Sequence, residues 1–425
     1  MTTSKTIAEW AAQPKPSLYK TLFATCIGNA LEWFDIAIYV FFAHYIATAF
    51  FPTDDGTVSF IITFSTFGLS FLIRPIGAIM LGSYADRAGR KASLLVSIAL
   101  MMLGCTMIAF MPTYATIGIA APVLIIVARL IQGFSAGGEF GSSTAFLVEY
   151  FPERKTFIAS WQFATQGVSS LLAALFGFVL SELLTEAELY EWGWRIPFFF
   201  GLLIGPVGLY IRHHIHEPKV FNNSAKLENP LREIVFFQKK LFFIAAGLMV
   251  IPTAANYMLT YIPTYSIRTL GLDASTAYRA TIVSGLILTI LTPLVGLWAE
   301  RVGRLPLMAG SLILLVLTVY PSFWFTVNNL TPLTLIMLVA WLATLKSIYF
   351  ATVPSLMADI FPIQTRATGM ALSYNISVTI FGGFAPVICT MLIRFTGDNL
   401  SPSYYLVVVS FLSLLALYKA NQLRH

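Results

Sequence analysis

The sequence predicts an all-α membrane protein whose twelve transmembrane helices form two six-helix halves. Three observations predict it: the composition, the recurrence of long apolar runs, and a pair of motifs repeated at nearly one spacing. Of 425 residues, 57% are hydrophobic and only 11% are charged, with a mean hydropathy of +0.77. Soluble domains carry about 25% charged residues, so this chain is made for lipid.

Runs of about 20 apolar residues, each able to cross a hydrocarbon core roughly 30 Å thick, recur along the whole length. They fall at 20–50, 58–83, 91–111, 118–148, 156–182, 195–212, 240–267, 275–298, 305–326, 332–357, 365–393 and 402–420. Residues 1–19 are polar or mixed and hold Pro14 and Pro16, so no cleavable signal peptide is expected there. Cys26, Cys105 and Cys389 lie far apart inside apolar runs with no CxxC or Cys/His spacing, and read as small core residues.

The loops alternate in charge. Nineteen Lys and Arg fall in the N-terminus, the even-numbered loops and the C-terminus, against four in the odd-numbered loops and three inside spans. That bias places both termini in the cytoplasm. A net charge of +6 spread over such loops is explained by insertion and anionic lipid, and no nucleic-acid motif accompanies it.

The most polar stretch follows the sixth span and reads as a linker. The expected organisation is a cytoplasmic N-terminus at 1–19, a six-helix bundle at 20–212, a linker at 213–239 and a second bundle at 240–421. His213, His214 and His216 in the linker have no Cys beside them and read as an interfacial cap. On either side, "GSYADRAGRK" at 82–91 is matched by "GLWAERVGRL" at 296–305, and "VEYFPERK" after the fourth span by "ADIFPIQTR" after the tenth. Two matched pairs at offsets of 214 and 210 residues mean two homologous halves, as in parallel transporter repeats.

Within each repeat a short loop supplies Arg, and an acid closes the helix two spans later. Arg87 or Arg90 is expected to pair with Glu149, and Arg301 or Arg304 with Asp359, in loops that also carry Asp86 and Glu300. Such pairs can latch the cytoplasmic side in one of two states. Glycines at 82, 89, 296 and 303 would permit the tight turn and close helix approach.

"GSYADRAGRK" resembles the signature loop of the major facilitator superfamily. With "GNALEWFD", "FLIRPIGA", "RLIQGFSAGGE", "WGWRIPF" and "FGGFAP", the chain from about residue 25 to 400 is similar to that superfamily's metabolite:proton symporters. The segment from "FGGFAP" to "SPSYY" looks most like their citrate-proton branch. The resemblance implies a bacterial inner membrane location, proton coupling and an organic-acid or zwitterion substrate.

Six ionisable residues sit deep in the spans: Glu32, Asp35, Arg74, Arg129, Glu139 and Lys346. A charge at the bilayer centre costs about 2.5–3.5 kcal/mol on insertion scales, so each is expected to face a cavity or a partner. Glu32 and Asp35 are three apart on one helix face, near the midplane if the first span is straight. With Arg74 and Arg129 they could meet in the N-terminal half, forming a proton site led by Asp35, then Glu32, with Glu139 as relay or gate. The alternative is a permanent salt-bridge network that only packs helices. Gly133, Gly137 and Gly141 are explained by close helix packing.

Arg129 in one half and Lys346 in the other could hold an anion with separated carboxylates between them. Asn29, Gln132, Gln162, Gln166, Asn256, Tyr257, Tyr261, Tyr349 and Asn375 offer hydrogen bonds nearby, some of them as helix contacts instead. His44 reads as interfacial packing. The expectation is a proton-coupled importer of a di- or tricarboxylate such as citrate, acting as a monomer in the lipid bilayer without cofactor or metal. A zwitterion such as proline or betaine is the alternative, and Trp33, Phe34, Tyr257 and Tyr261 could box its ammonium. The family's osmosensory members carry a long C-terminal coiled coil, which this sequence does not show. No GxSxG, HExxH or P-loop pattern supports an enzyme or an ATP-driven pump.

Overall fold

The computed structural model describes residues 18–88, 90–137, 139–150, 152–206, 230–362 and 365–423. In its first half the spans run as Leu18–Phe41 with Ala43–Phe50, Gly56–Leu72 with Arg74–Ala88, Arg90–Phe110, Ala120–Ala136 with Glu139–Tyr150, and Lys155–Leu183. The sixth begins at Ile196–Gly201, and the three linker histidines lie outside the described residues. The second half comprises Lys239–Arg268, Ala274–Val302, Arg304–Asn328, Pro332–Phe350 with Val353–Ile360, Arg366–Ser377 through a π-helical turn to Ala385–Thr396, and Ser401–Gln422. Helix is the expected solution, because lipid offers no water to backbone N–H and C=O groups.

Among the described residues, eight of these helices are long and apolar enough to cross a bilayer in one piece, and the bent first span makes a ninth. The third and fourth spans have shorter apolar stretches, Leu95–Phe110 and Ala120–Ala136. Helix starts follow local chemistry. Asp273 accepts from the Thr276 amide at 2.7 Å, and Thr331 and Thr334 cap each other's backbone. Gly303 takes φ +96° in the turn between the eighth and ninth spans, a conformation that favours glycine.

One expectation is corrected. The first span is not straight but bends by 65° at Phe42. Neither proline nor glycine stands at the break; instead the Tyr278 hydroxyl, from the eighth span, donates to the Phe41 carbonyl at 3.0 Å. A side chain inserted at the carbonyl ladder is a recognised cause of kinking. Glu32 and Asp35 lie below the bend, so their shared face is kept.

The halves meet along the fifth and eighth spans. A Cβ at Gly285 would stand 2.7 Å from Leu171 Cα, one at Gly167 2.6 Å from the Thr289 amide, and one at Gly296 2.7 Å from Ser160 Oγ. Between these points the backbones are in contact, as small residues allow in lipid. Within the first half the same device joins the second and fourth spans, where a Cβ at Gly133 would lie 1.8 Å from the Ser70 carbonyl oxygen.

Gly285→Ala should therefore force the backbones apart and cost about 1–3 kcal/mol. Gly310→Ala, at a helical position with nothing within 4 Å, is the control and should be neutral or stabilising. Thermal unfolding of the detergent-purified variants checks this; equal midpoints would contradict the seam.

Candidate functional site

Asp35 stands at the meeting of the first, third and fourth spans, and its carboxylate is fully partnered. Oδ2 accepts from Gln132 Nε2 at 2.6 Å, Oδ1 accepts from Cys105 Sγ at 3.1 Å, and Arg129 Nη1 lies 3.6 Å from Oδ2. Arg129 Nη1 also donates to Gln132 Oε1 at 2.6 Å, so one amide bridges the two charges. The third span makes room for it: a Cβ at Gly104 would fall 2.4 Å from Gln132 Cγ. The guanidinium of Arg129 rests on the rings of Tyr39 at 4.3 Å and Phe67 at 5.4 Å, and its Nε has no hydrogen-bond partner.

The expected meeting of four charges is therefore redistributed. Asp35 joins Arg129, while Arg74 turns onto Phe71, 4.2 Å away, and Trp33 at 5.9 Å. Glu32 is buried with them. Into this group the second half inserts Tyr257, packed against Trp33, Phe67 and Phe71. Its hydroxyl has no hydrogen-bond partner and lies in the field of Arg74, Arg129 and Glu32. The "FGGFAP" motif explains the fit. A Cβ at Gly382 would come 2.6 Å from the Tyr257 ring and one at Gly383 2.6 Å from the Phe71 ring, inside the π-helical turn Val378–Gly383.

Lys346 is buried in the second half. Nζ donates to Asn256 Oδ1 at 2.5 Å and lies 4.6 Å from the centre of the Phe350 ring, and among the described residues it forms no ion pair. Asn256, Tyr257 and Thr260 line a central cavity opposite Trp33, Ile36, Ala37, Gln166 and Ser170 of the first half. It holds about 10 Å³, roughly the space of one water. Two aromatic pairs also join the halves: Phe163 stacks on Phe350 and Phe140 on Tyr374, with centroids 4.0 and 3.9 Å apart.

The remaining polar residues divide. Gln162 Nε2 and Gln166 Oε1 are buried without hydrogen-bond partners. Asn29 is tied to the Gln162 carbonyl and the Thr165 hydroxyl, Tyr349 to the Leu248 carbonyl, and Tyr261 to Thr390. Asn375 donates across the halves to the Gly137 carbonyl at 2.8 Å. His44 contacts the Tyr190 hydroxyl and stacks on Phe60.

At the end of the molecule that carries the repeated loops, Asp359 accepts from Arg304 at 2.6 Å, within its own half. It also accepts from Lys155 of the other half at 2.6 Å. Glu300 receives the amides of Thr156 at 2.7 Å and Phe157 at 3.2 Å, capping the fifth span across the interface. The pairing within a half is thus only part of the contact, and Arg301 is exposed. Lys155 was not singled out from the sequence, although it ends the repeated "VEYFPERK". The side chains of Asp86, Arg87, Arg90, Glu139 and Glu149 lie outside the described residues. At the opposite end Arg394 meets Asp55 at 2.9 Å, and Arg279 meets Glu182 at 3.2 Å. The Thr57 amide first, and Arg394 with it, hold the Asp55 carboxyl below the usual range. Among the described residues no group of three or more His, Cys, Asp or Glu could hold a metal.

The sequence pattern of the Major Facilitator Superfamily matches residues 25–386. A citrate-proton symporter of Klebsiella pneumoniae is 36% identical over 395 residues, 92% of this chain and 88% of that protein. A proline/betaine transporter of Salmonella typhimurium is 34% identical over 417 residues, 94% and 82% of the two. Among solved structures, a proton:xylose symporter bound to 6-bromo-6-deoxy-D-glucose superposes with a TM-score of 0.74 at 16% identity, over 94% of each chain. That likeness is one of fold.

Asp35→Asn leaves the Arg129 guanidinium buried without its carboxylate, a loss of about 3–5 kcal/mol for a broken buried pair. Asp35→Asn with Arg129→Gln should recover much of it. Unfolding midpoints around this double-mutant cycle check the contact; strictly additive losses would exclude it.

Proposed function

The chain belongs to the Major Facilitator Superfamily, and on that footing we propose that it is a proton-coupled symporter importing a small organic anion, a di- or tricarboxylate such as citrate, by alternating access. The observation that carries the reading is Lys346: a buried cation whose hydrogen-bond partner is the neutral Asn256, on the lining of the central cavity. An unpaired buried ammonium is costly, and an arriving carboxylate relieves that cost. In the first half Arg129 and Arg74 are the candidate counterparts, so an anion with separated carboxylates would engage both halves at once.

Coupling follows from competition for Arg129. The Asp35 carboxylate and a substrate carboxylate both want this guanidinium, and the anion left without it is neutralised by a proton or leaves. Asp35 is the first candidate for that proton, with Glu32 and Glu139 behind it. Gln132 can follow either partner, because its amide both donates to Asp35 and accepts from Arg129. Gln162 Nε2 and the Tyr257 hydroxyl supply donors without hydrogen-bond partners for the substrate's remaining oxygens, and Gln166 Oε1 an acceptor for a substrate hydroxyl. Lys155, Glu300, Arg304 and Asp359 hold the repeated-loop end shut and part when it opens, and Asp86, Arg87, Arg90, Glu149 and Arg301 complete that gate. On this reading it works as a monomer in the bacterial inner membrane with both termini cytoplasmic.

A second reading rests on one observation. Trp33 and Tyr257 line the central cavity side by side, with ring centroids 6.3 Å apart, and aromatic faces attract quaternary ammonium. The proline/betaine transporters among the relatives accord with it. Lys346 opposes it, since it would repel the same ammonium.

Proteoliposomes with an imposed inward pH gradient separate the two. Citrate or another carboxylate should accumulate in a protonophore-sensitive way, with KM raised roughly ten- to a hundredfold by Lys346→Ala, the equivalent of one charge-assisted contact. Betaine or proline uptake indifferent to Lys346→Ala would establish the second reading. Asp35→Asn should keep substrate exchange and lose uphill accumulation; accumulation at the wild-type level would remove Asp35 from the coupling role.

A further inference from the structure

Away from the charge cluster, the second, seventh and eleventh spans enclose a second cavity of about 270 Å³ at the end carrying the odd-numbered loops. Its volume is just below the roughly 300–1,000 Å³ of pockets for drug-sized ligands. Thr57, Phe60, Tyr261, Arg268, Thr390 and Arg394 line it. Two guanidiniums on one small cavity are unusual company without a matching number of acids. Arg394 has Asp55 at 2.9 Å, whereas Arg268 lies against the Phe60 ring at 4.8 Å and, among the described residues, forms no ion pair. Gly56 leaves Arg268 this place, since a Cβ there would stand 2.9 Å from its Nη2. The inner wall is aromatic: Phe64 meets Tyr261 edge to face with centroids 5.6 Å apart, and Tyr261 is pinned by Thr390 at 3.0 Å. Neither Phe64 nor Tyr261 lines the cavity of Trp33, Asn256 and Tyr257, which shares no lining residue with this one.

We propose that this vestibule is an outer binding site for a small polycarboxylate, in which Arg268 and Arg394 each take one carboxylate group and Asp55 is displaced from Arg394. The proposal rests on the carboxylate reading given above and adds a second site to it. Asp55 belongs to the first half and Arg394 to the second, so a carboxylate that replaces Asp55 also removes a tie between the halves. Capture at the mouth thereby loosens the outer face, and the substrate reaches the inner cations only after Phe64 and Tyr261 part. Planar guanidiniums suit this role because each can grip a carboxylate through two parallel N–H donors.

The test is uptake of radiolabelled citrate at varied external concentration and ionic strength, in wild type, Arg268→Gln, Arg394→Gln, Arg268→Lys and Asp55→Asn. Each Gln variant should raise KM about tenfold with Vmax within twofold and flatten the salt dependence, and Arg268→Lys should recover part of the loss. Asp55→Asn frees Arg394 and should lower KM about threefold, a gain that misfolding cannot produce. Wild-type KM and salt dependence in both Gln variants would overturn the vestibule site alone. So would a change confined to Vmax in Arg394→Gln together with an unchanged KM in Asp55→Asn, which is the behaviour of a simple latch. A wild type that takes up betaine and no carboxylate would overturn the carboxylate reading itself, and this proposal with it.

Discussion

Lipid gives two helix bundles no hydrophobic reason to associate, because acyl chains are as apolar as leucine. What joins these halves is contact between backbones along the fifth and eighth spans, where Gly167, Gly285 and Gly296 remove the side chains that would hold them apart. Everything at the centre depends on that approach. Tyr257 reaches the Trp33, Phe67 and Phe71 rings, Phe163 lies on Phe350, and Asn375 reaches the Gly137 carbonyl only because the halves sit this close. The glycines also explain why the central cavity is small in this state: the seam draws aromatic faces together with little left between them.

Charge is distributed around this seam in two manners. Asp35 and Arg129 lie in the first half and compensate each other through Gln132, which lets a buried pair persist where either member alone would be costly. Lys346 lies in the second half with a neutral partner. In the first half Asp35 balances Arg129, and in the second the Lys346 charge stands behind Asn256, which lines the shared cavity. On the reading proposed above, a ligand that brings negative charge would complete the second half and disturb the first, and a proton would restore the first. The same asymmetry recurs at the mouth, where Arg394 has Asp55 while Arg268 lies on the face of a ring and, among the described residues, forms no ion pair.

Much of this was legible in the sequence because lipid enforces it. A span must be apolar over some 20 residues, a buried charge must find a partner, and a duplicated half repeats its loops, so the helices, a group holding Asp35 and Arg129, and a pairing of Arg301 or Arg304 with Asp359 could be named from composition and spacing. The bend at Phe42 could not, since the group that holds it, the Tyr278 hydroxyl, is 236 residues away in the chain and no proline or glycine marks the place. Lys155 escaped for a related reason. The repeat compares each half with itself, whereas Lys155 meets Asp359 across the two, and local pattern carries no signal for that pairing. Arg74 shows a third limit: its type announces a buried cation, but whether it faces Asp35 or the Phe71 ring is decided by packing.

The energies of the end contacts bear on how such a molecule moves. Lys155 and Asp359 are each about one third exposed, and the Arg279–Glu182 and Arg394–Asp55 pairs are more exposed still. Pairs of this kind contribute roughly 0–1 kcal/mol each. Opening either end therefore gives up a few weak ties at a time, while the glycine seam can stay in contact as the axis about which the halves turn. A state held at its ends by such small increments sits within a few kcal/mol of states in which those ties are broken, and differential binding of substrate and proton is enough to move populations on that scale. The weakness of the outer ties is in this sense what allows chemistry at the centre to decide which side is open.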